Sequence, residues 1–415
     1  PGTPAAQQKE TDATLDTLQA HAHAVAALIA AVPHTPFGGP SSLVNATLNA
    51  SADLVSSGGE RSSSAAWVLL RSLLALDPEW MGAKQRLAKL YSMLKVVLAH
   101  RVENISKDKR DAVESELRSR AQALRALTSF LQLMPEPLAA PLIKPILSSL
   151  LPPNSALLAE CREHAPALMS PAFRAAFMLF RARLYELLGT LPSSALSAKV
   201  LNIVMPMVVA DIVDPSNTHA STCSTLSSML NSRDETLAAA GVHDEALSPV
   251  GEPMRTGLSA QAESACEWLA ELQGGSFSSA EVQALNAAVS LFGSVFRLQT
   301  SDVRQQLLGH LGTAASKAGL KDQQAQRFSL SPASEKADRC SALTNICAAL
   351  LGSLQRLAHK PSRSLLRMEL VESITNVLNP CLSDADTSVR RGAAQCVGLL
   401  GALLGEQYAT RFLSL

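Results

Sequence analysis

Aromatic residues are scarce in this chain: Phe, Trp and Tyr make up 4% of 415 residues, while apolar side chains reach 47%. A core with so few rings is a Leu/Ala/Val core, which suits helix on helix and argues against a β-sandwich lined by Val, Tyr and Trp. Net charge is also lacking, because 36 basic side chains balance 36 acidic ones. That balance removes the broad positive field of a general nucleic-acid binder, and equally the acidic excess of receptors that hold basic nuclear cargo signals. No run of about 18 uninterrupted apolar residues occurs, so no bilayer span is expected and any membrane association would go through partners. Cysteines at 161, 223, 266, 340, 347, 381 and 396 form no Cys-x-x-Cys and no Cys/His cluster at zinc spacing. Most fall inside helical apolar patterns and read as reduced thiols filling a core, which indicates the cytosol.

Motifs of catalysis are missing as well. The chain holds no Gly-x-x-x-x-Gly-Lys-Ser/Thr, no Gly-x-Gly-x-x-Gly after a strand, no Gly-x-Ser-x-Gly and no His-Glu-x-x-His. His21 and His23 are two apart on a helix, hence on different faces, with no third ligand at useful spacing. Glu114 with Glu116 and Asp384 with Asp386 read as solvated or capping carboxylates. No enzyme, cofactor or metal is expected. Asn-x-Ser/Thr triplets at Asn45, Asn49 and Asn104 stand without a secretory signal and read as chance.

What the chain does have is apolar periodicity at helical spacing. Helices are predicted near 11–32, 41–56, 61–76, 80–100, 110–134, 136–151, 171–190, 193–213, 215–230, 259–273, 279–298, 301–318, 335–358, 362–382, 387–404 and 406–414. Pro33 to Pro40, Gly58-Gly59, Asp77-Pro78, Pro135, Pro152-Pro153 and Leu191-Pro192 separate the earlier ones. Breaks this short imply antiparallel neighbours. The stretch 231–258 is polar and Pro/Gly-punctuated, and 317–334 is poor in apolar residues; both read as loops, the second partly disordered. The expected organisation is therefore helical repeats over 1–230, a loop insertion at 231–258, and repeats over 259–415 with a loose loop at 317–334. Starting at Pro1 and ending at Leu415, the chain reads as a piece of a longer protein, one continuous stack.

The clearest repeat runs from Asn379-Pro380-Cys381 through the acidic turn Ser383-Asp384-Ala385-Asp386 into a second helix. There Val389, Ala393, Cys396, Val397, Leu400, Leu403 and Leu404 share one face. The preceding helix contributes Leu366, Leu370, Ile374, Val377, Leu378 and Cys381. Gly392, Ala393, Ala394 and Gly398 allow close approach, and Asp386 stands four residues before Arg390, within reach of a contact. This is the shape of a HEAT repeat, a unit that needs neighbours on both sides to close its core. The fold class expected is all-α, a HEAT-repeat α-solenoid of antiparallel helix pairs. Helix 61–76, with Trp67-Val68-Leu69-Leu70 and Leu73-Leu74, is apolar over more than half its girth, as a helix covered by its pair and both adjacent repeats would be.

Candidate binding residues are few. Arg356, His359, Lys360, Arg363 and Arg367 cluster across an inter-helix turn, where a phosphorylated or acidic partner segment would dock; Arg356, Lys360, Arg363 and Arg367 form the candidate protein-binding patch. A solvated turn with charges at helix ends is the plainer alternative. Lys107, Lys109 and Arg110 interleave with Asp108 and Asp111. Ser248-Pro249 and Ser331-Pro332 offer acceptors to a proline-directed kinase. Trp80 stands where tubulin-binding arrays expose a tryptophan, but without their basic edge it reads as a hydrophobic staple. Phe37-Gly38-Gly39-Pro40 is superficially similar to the peptides that adaptor ear domains read; lacking the acidic flank, it reads as a helix-linking turn.

Several segments in order carry a family resemblance: His23-Ala24-Val25-Ala26-Ala27-Leu28-Ile29-Ala30-Ala31-Val32 followed by Pro36-Phe37-Gly38-Gly39-Pro40; Ala66-Trp67-Val68-Leu69-Leu70; Arg181-Ala182-Arg183-Leu184-Tyr185-Glu186-Leu187-Leu188-Gly189-Thr190-Leu191-Pro192; Leu291-Phe292-Gly293-Ser294-Val295-Phe296; and Val389-Arg390-Arg391-Gly392-Ala393-Ala394-Gln395-Cys396. The chain resembles the HEAT repeat-containing protein 5 family, which includes the large accessory protein of the type-one clathrin adaptor complex. Ala66 stands where the family has a glycine. The matches are packing residues, so they transfer no binding site. The resemblance implies a non-catalytic cytoplasmic scaffold in traffic between trans-Golgi network and endosomes. Its implied partners are the type-one clathrin adaptor complex, aftiphilin-like and γ-synergin-like accessory proteins, and dynein-driven endosome transport, with homo-oligomers left open. The competing expectation is a nuclear-transport or general protein-binding HEAT array.

Overall fold

Pro and Gly punctuation sets the helix boundaries in the computed structural model, which describes residues 17–29, 41–57, 60–76, 84–100, 102, 105–133, 136–168, 170–192, 196, 198–213, 280–327, 333–359 and 367–405. Among them there is no strand. The helices are α1 (residues 17–29), α2 (Ser41–Ser56), α3 (Glu60–Leu76), α4 (Lys84–Leu98), α5 (Arg110–Leu133), α6 (Glu136–Pro145), α7 (Leu151–Leu168), α8 (Pro171–Thr190), α9 (Ala198–Val213), α10 (Ala280–Val295), α11 (Ser301–Arg327), α12 (Ala333–His359), α13 (Met368–Leu382) and α14 (Thr387–Leu404). None of them is long and apolar enough to cross a membrane.

Helix ends follow local chemistry. Ser170 caps α8, its hydroxyl accepting from Phe173 N at 3.0 Å, and Pro171 occupies the first helical position, where its missing N–H costs nothing. Gly405 closes α14 at φ 85°, a left-handed geometry that disfavours side-chain-bearing residues, and its N–H donates to Gly401 O at 2.9 Å.

Two expectations need correction. Pro152-Pro153 predicts a stop at 151, yet the chain passes through a π-helical turn, Ile146–Leu150, straight into α7. In that turn Leu151 N–H reaches back five residues to Ile146 O, and Asn154 Nδ2 takes up the Leu150 carbonyl at 2.6 Å. The ladder is thus re-registered where the two prolines remove its donors. The loose segment expected at 317–334 is mostly helical, since α11 runs to Arg327 and α12 starts at Ala333; residues 328–332 lie outside the described part. Its Lys, Gln, Ala and Arg residues are apolar-poor but strong helix formers. The predicted elements at 215–230, 231–258, 259–273 and 406–414 lie outside the described residues.

Packing divides the chain into two compact units, Pro1–Ala195 with Pro253–Ala280, and Leu196–Glu252 with Glu281–Leu415. α9 packs on α11 and α12 and so belongs with the later helices.

In the first unit α3 lies on α5 and α5 on α8, making one row; α2 lies on α4, and α4 on the π turn and α7, making the other. The pairs α2/α3, α4/α5 and α7/α8 join the rows. α3 is covered as expected, by α2 and α5 and by α1, whose Ala22 and Ala26 meet Ala65 and Leu69. The α8 stripe of Phe173, Phe177, Phe180, Leu184, Leu187 and Leu188 is buried, and Phe173 stacks on Phe177 at 5.7 Å. At about 1.5 to 3 kcal/mol for each large side chain buried, such stripes dominate stability. Arg120 carries a charge into this core. Arg120 is fully buried, donating through Nε to Glu116 at 2.6 Å, through Nη1 to Asn154 Oδ1 at 3.1 Å and through Nη2 to the His100 carbonyl. Asn154 in turn donates to Leu98 O at 3.0 Å. The guanidinium and the amide therefore satisfy carbonyls at and just past the end of α4.

The second unit repeats the pattern, with α9–α11–α13 in one row and α10–α12–α14 in the other. Two contacts fix the direction of α13 along α11: Arg304 lies within electrostatic reach of Arg367, and a Cβ on Gly312 would touch Val377 Cγ2 at 3.4 Å. Positions near each start and eight to ten residues onward meet, so the helices run parallel. α10 and α12 approach through paired glycines. A Cβ on Gly293 would stand 3.1 Å from the Gly352 carbonyl carbon, whereas one on Gly352 would meet Gly293 Cα at 3.8 Å. Gly293→Ala is accordingly expected to destabilise by about 1 to 2 kcal/mol through overpacking, while Gly352→Ala is neutral or stabilising by up to about 1 kcal/mol through helix propensity. Thermal melts of the two variants check this; equal effects would mean the backbones are not in contact.

Candidate functional site

The basic patch expected around the α12–α13 connection divides in the structure. Arg356 is buried, so its place in an open protein-binding patch is corrected. α12 is covered by α9, α11, α13, α14 and the turn Phe296–Leu298, and this leaves even the polar side chains Ser353, Gln355 and Arg356 enclosed. Lys360 and Arg363 lie outside the described residues. Arg367 is exposed at the N-cap of α13, where no side chain caps the helix.

Arg367 has a neighbour the sequence did not single out. Arg304, in the first turn of α11, is 6% exposed, and its Nε and Nη1 have no hydrogen-bond partner. Burial, together with the like charge of Arg367, lowers its pKa from the usual guanidinium value. A signal existed: Arg304 precedes Leu308, Leu311 and Ala315 at four-, three- and four-residue steps, so a charge sits on an apolar stripe whose other members are buried.

At the next turn the expected Asp386–Arg390 contact is replaced. Asp386 caps α14, accepting from Ser388 N at 2.8 Å, while Arg390 Nη1 donates to the carbonyls of Asp384 and Ala385, each at 2.8 Å. A carboxylate already committed to backbone N–H groups leaves the guanidinium to the turn's carbonyls. Burial pushes the Asp386 pKa up, but hydrogen bonds from Ser388, Val389 and Cys340 outweigh it and hold the carboxyl below its ordinary value. A depressed folded pKa gives stability that is present above the unfolded value near 4 and lost as pH falls through the folded one. Asp386→Asn should flatten this acid limb while keeping the cap, and Asp386→Ala should cost about 1 kcal/mol at neutral pH; urea melts at pH 7 and pH 3 measure both.

Behind this turn Cys347, Cys381 and Cys396 come together in the core, all free and buried. Cys396 Sγ donates to Cys347 O at 3.3 Å. A hydrogen bond with Cys381 and burial drive the Cys347 thiol well above its ordinary pKa, and burial does the same to Cys396. They fill space as protonated thiols, as expected, and among the described residues no group of His, Cys, Asp and Glu is placed to hold a metal.

Of the remaining candidates, His21 is exposed and His23 half-buried with its pKa lowered by burial. Glu114 and Glu116 are not simply solvated: each pairs with an arginine four residues on, Arg118 at 2.5 Å and Arg120 at 2.6 Å. Near the start of α5, Arg110 meets Asp111 at 3.5 Å on an exposed surface. Trp80, Phe37-Gly38-Gly39-Pro40, Ser248-Pro249 and Ser331-Pro332 lie outside the described residues.

No protein-family model matches this chain.

Proposed function

We propose that this chain is a HEAT-repeat α-solenoid segment acting as a non-catalytic, protein-binding scaffold in clathrin-adaptor-dependent traffic between the trans-Golgi network and endosomes. The observation that carries the scaffold reading is the double row of stacked helix pairs in each unit, an arrangement that buries one side of every helix and leaves helix ends free to dock other chains. The trafficking assignment rests on the resemblance to the HEAT repeat-containing protein 5 family. Several of the residues that carry it, Trp67, Leu184, Tyr185, Leu187, Phe292 and Cys396, are core residues here. The partners under this reading are the type-one clathrin adaptor complex and aftiphilin-like and γ-synergin-like accessory proteins, with a link to dynein-driven transport. The location is cytoplasmic and peripheral to trans-Golgi, vesicle and endosome membranes.

Affinity purification of the tagged chain from cells, read by mass spectrometry, tests this. Adaptor and accessory chains in the eluate support the reading. Importins eluting in a small-GTPase-dependent manner would replace it with a nuclear-transport array.

A further inference from the structure

Arg304 is 6% exposed, and its buried Nε and Nη1 have no hydrogen-bond partner. A guanidinium so placed loses much of its hydration without hydrogen bonds in return at these atoms, so it costs stability unless something else neutralises it. Its surroundings are electropositive too. Arg367 lies within electrostatic reach of it, α11 and α13 pack on one another in parallel, and the first N–H groups of α13 have no side-chain cap. Each helix start adds about half a positive charge to the two guanidiniums, about plus three together, from which the exposed carboxylates of Asp302 and Glu369 in the same first turns take about two. Two forked guanidiniums and the uncapped N–H groups offer more donors than the two oxygens of a carboxylate accept, whereas a phosphoryl group presents three strong acceptor oxygens.

We propose that the starts of α11 and α13 form a binding site for a phosphoserine or phosphothreonine of a partner protein, gripped by Arg304 and Arg367. The proposal rests on the reading of the chain as a protein-binding scaffold and names the chemistry its partner must carry. Because Arg304 is covered, the anion must arrive on a narrow arm, as a phosphorylated side chain does. The exposed carboxylates of Asp302 and Glu369, in the first turns of the same two helices, flank the site and weaken its long-range field for any anion, so the phosphoryl group must be held by direct contact with the covered guanidinium. A single phosphorylated side chain makes that contact more readily than a broad lipid surface.

The test uses the purified chain with four probes: the peptide acetyl-Gly-Gly-phosphoSer-Gly-Gly-amide, its unphosphorylated twin, inorganic phosphate, and phosphatidylcholine vesicles with or without a phosphoinositide. Titrations are followed by calorimetry and by the arginine Nε–H resonances. The phosphopeptide should bind at least tenfold more tightly than its twin and shift the Arg304 signal, inorganic phosphate should compete, and vesicles should not bind. Arg304→Gln should lose phosphopeptide binding at least tenfold with an unchanged or raised melting temperature, because it removes an unpaired buried charge. Arg367→Gln should weaken binding several-fold with the fold intact. Equal binding of the twin, an unmoved Arg304 signal, or unfolding of Arg304→Gln would overturn the proposal. Arg304-dependent vesicle binding without peptide binding would reassign the site to lipid and overturn it as well. The peptide probes contain no trafficking protein, so this result and the affinity purification can fail independently.

Discussion

Arg120→Ala is expected to destabilise the first unit by about 3 to 5 kcal/mol. The substitution removes three hydrogen bonds at once and strands Asn154 Oδ1 in the core, while the carbonyl of the exposed His100 and the partly exposed Glu116 can turn to water. The cost is the desolvation of the groups left behind rather than the worth of the ion pair itself. Arg120→Met with Asn154→Leu removes the cation and one of its acceptors together, but it also takes the Asn154 amide from the Leu98 and Leu150 carbonyls, so it should recover only part of the loss. A double-mutant cycle by urea denaturation separates the two terms. Similar losses for Arg120→Ala and the double variant would mean that the core depends on the network's geometry and not on keeping its groups paired.

Trp67→Ala carries the second large effect, about 3 to 5 kcal/mol. Trp67 is 1% exposed in α3, the helix clasped by α1, α2 and α5, so little can collapse into the space it leaves. Its indole Nε1 has no partner, and this makes Trp67→Phe informative. Phe keeps most of the ring contacts and removes an unsatisfied donor, so the lost volume and the relieved polar group offset each other and the change should stay under about 1.5 kcal/mol. Equilibrium unfolding of both variants checks the contrast. A loss from Trp67→Phe as large as that from alanine would show that the indole N–H does have a partner in solution.

The sequence exposed its helices where apolar spacing and end signals agreed. The span 387–404 is the observed α14, and the α13 stripe from Leu370 to Cys381 is buried as its spacing implied. It misled where one kind of residue carried two meanings. Prolines 152 and 153 mark a stop by their missing donors, yet a π turn and the Asn154 amide absorb the break. Polar residues 317–327 look loose by hydropathy but are good helix formers. The candidate site was half legible. Arg367 stood out as part of a run of basic residues, whereas Arg304 is isolated in sequence and becomes its neighbour only through the stacking of α11 on α13. Arg120 and Arg304 share the overlooked sign. Each occupies a step of a buried apolar stripe, Arg120 between Leu117 and Leu124 and Arg304 ahead of Leu308. Charge at such a position marks either an internal polar network, as at Arg120, or a cation held for a visitor, as inferred for Arg304, and the partners that tell them apart come from other helices.

The parallel alignment of α11 and α13 underlies the proposed site and fits the stacked helix pairs, and spin-label distances test it most directly. With Cys223, Cys266 and Cys340 replaced by serine, labels at Asp302 and Glu369 report the two starts of α11 and α13, and labels at Asp302 and Ser383 report one start and the opposite end. Adjacent helix axes lie about 8 to 10 Å apart, and the 15-residue α13 spans about 22 Å. The account predicts that the 302–369 separation is clearly the shorter of the two. A shorter 302–383 separation would place α13 antiparallel to α11, dismantle the proposed site and contradict the stacked-pair account.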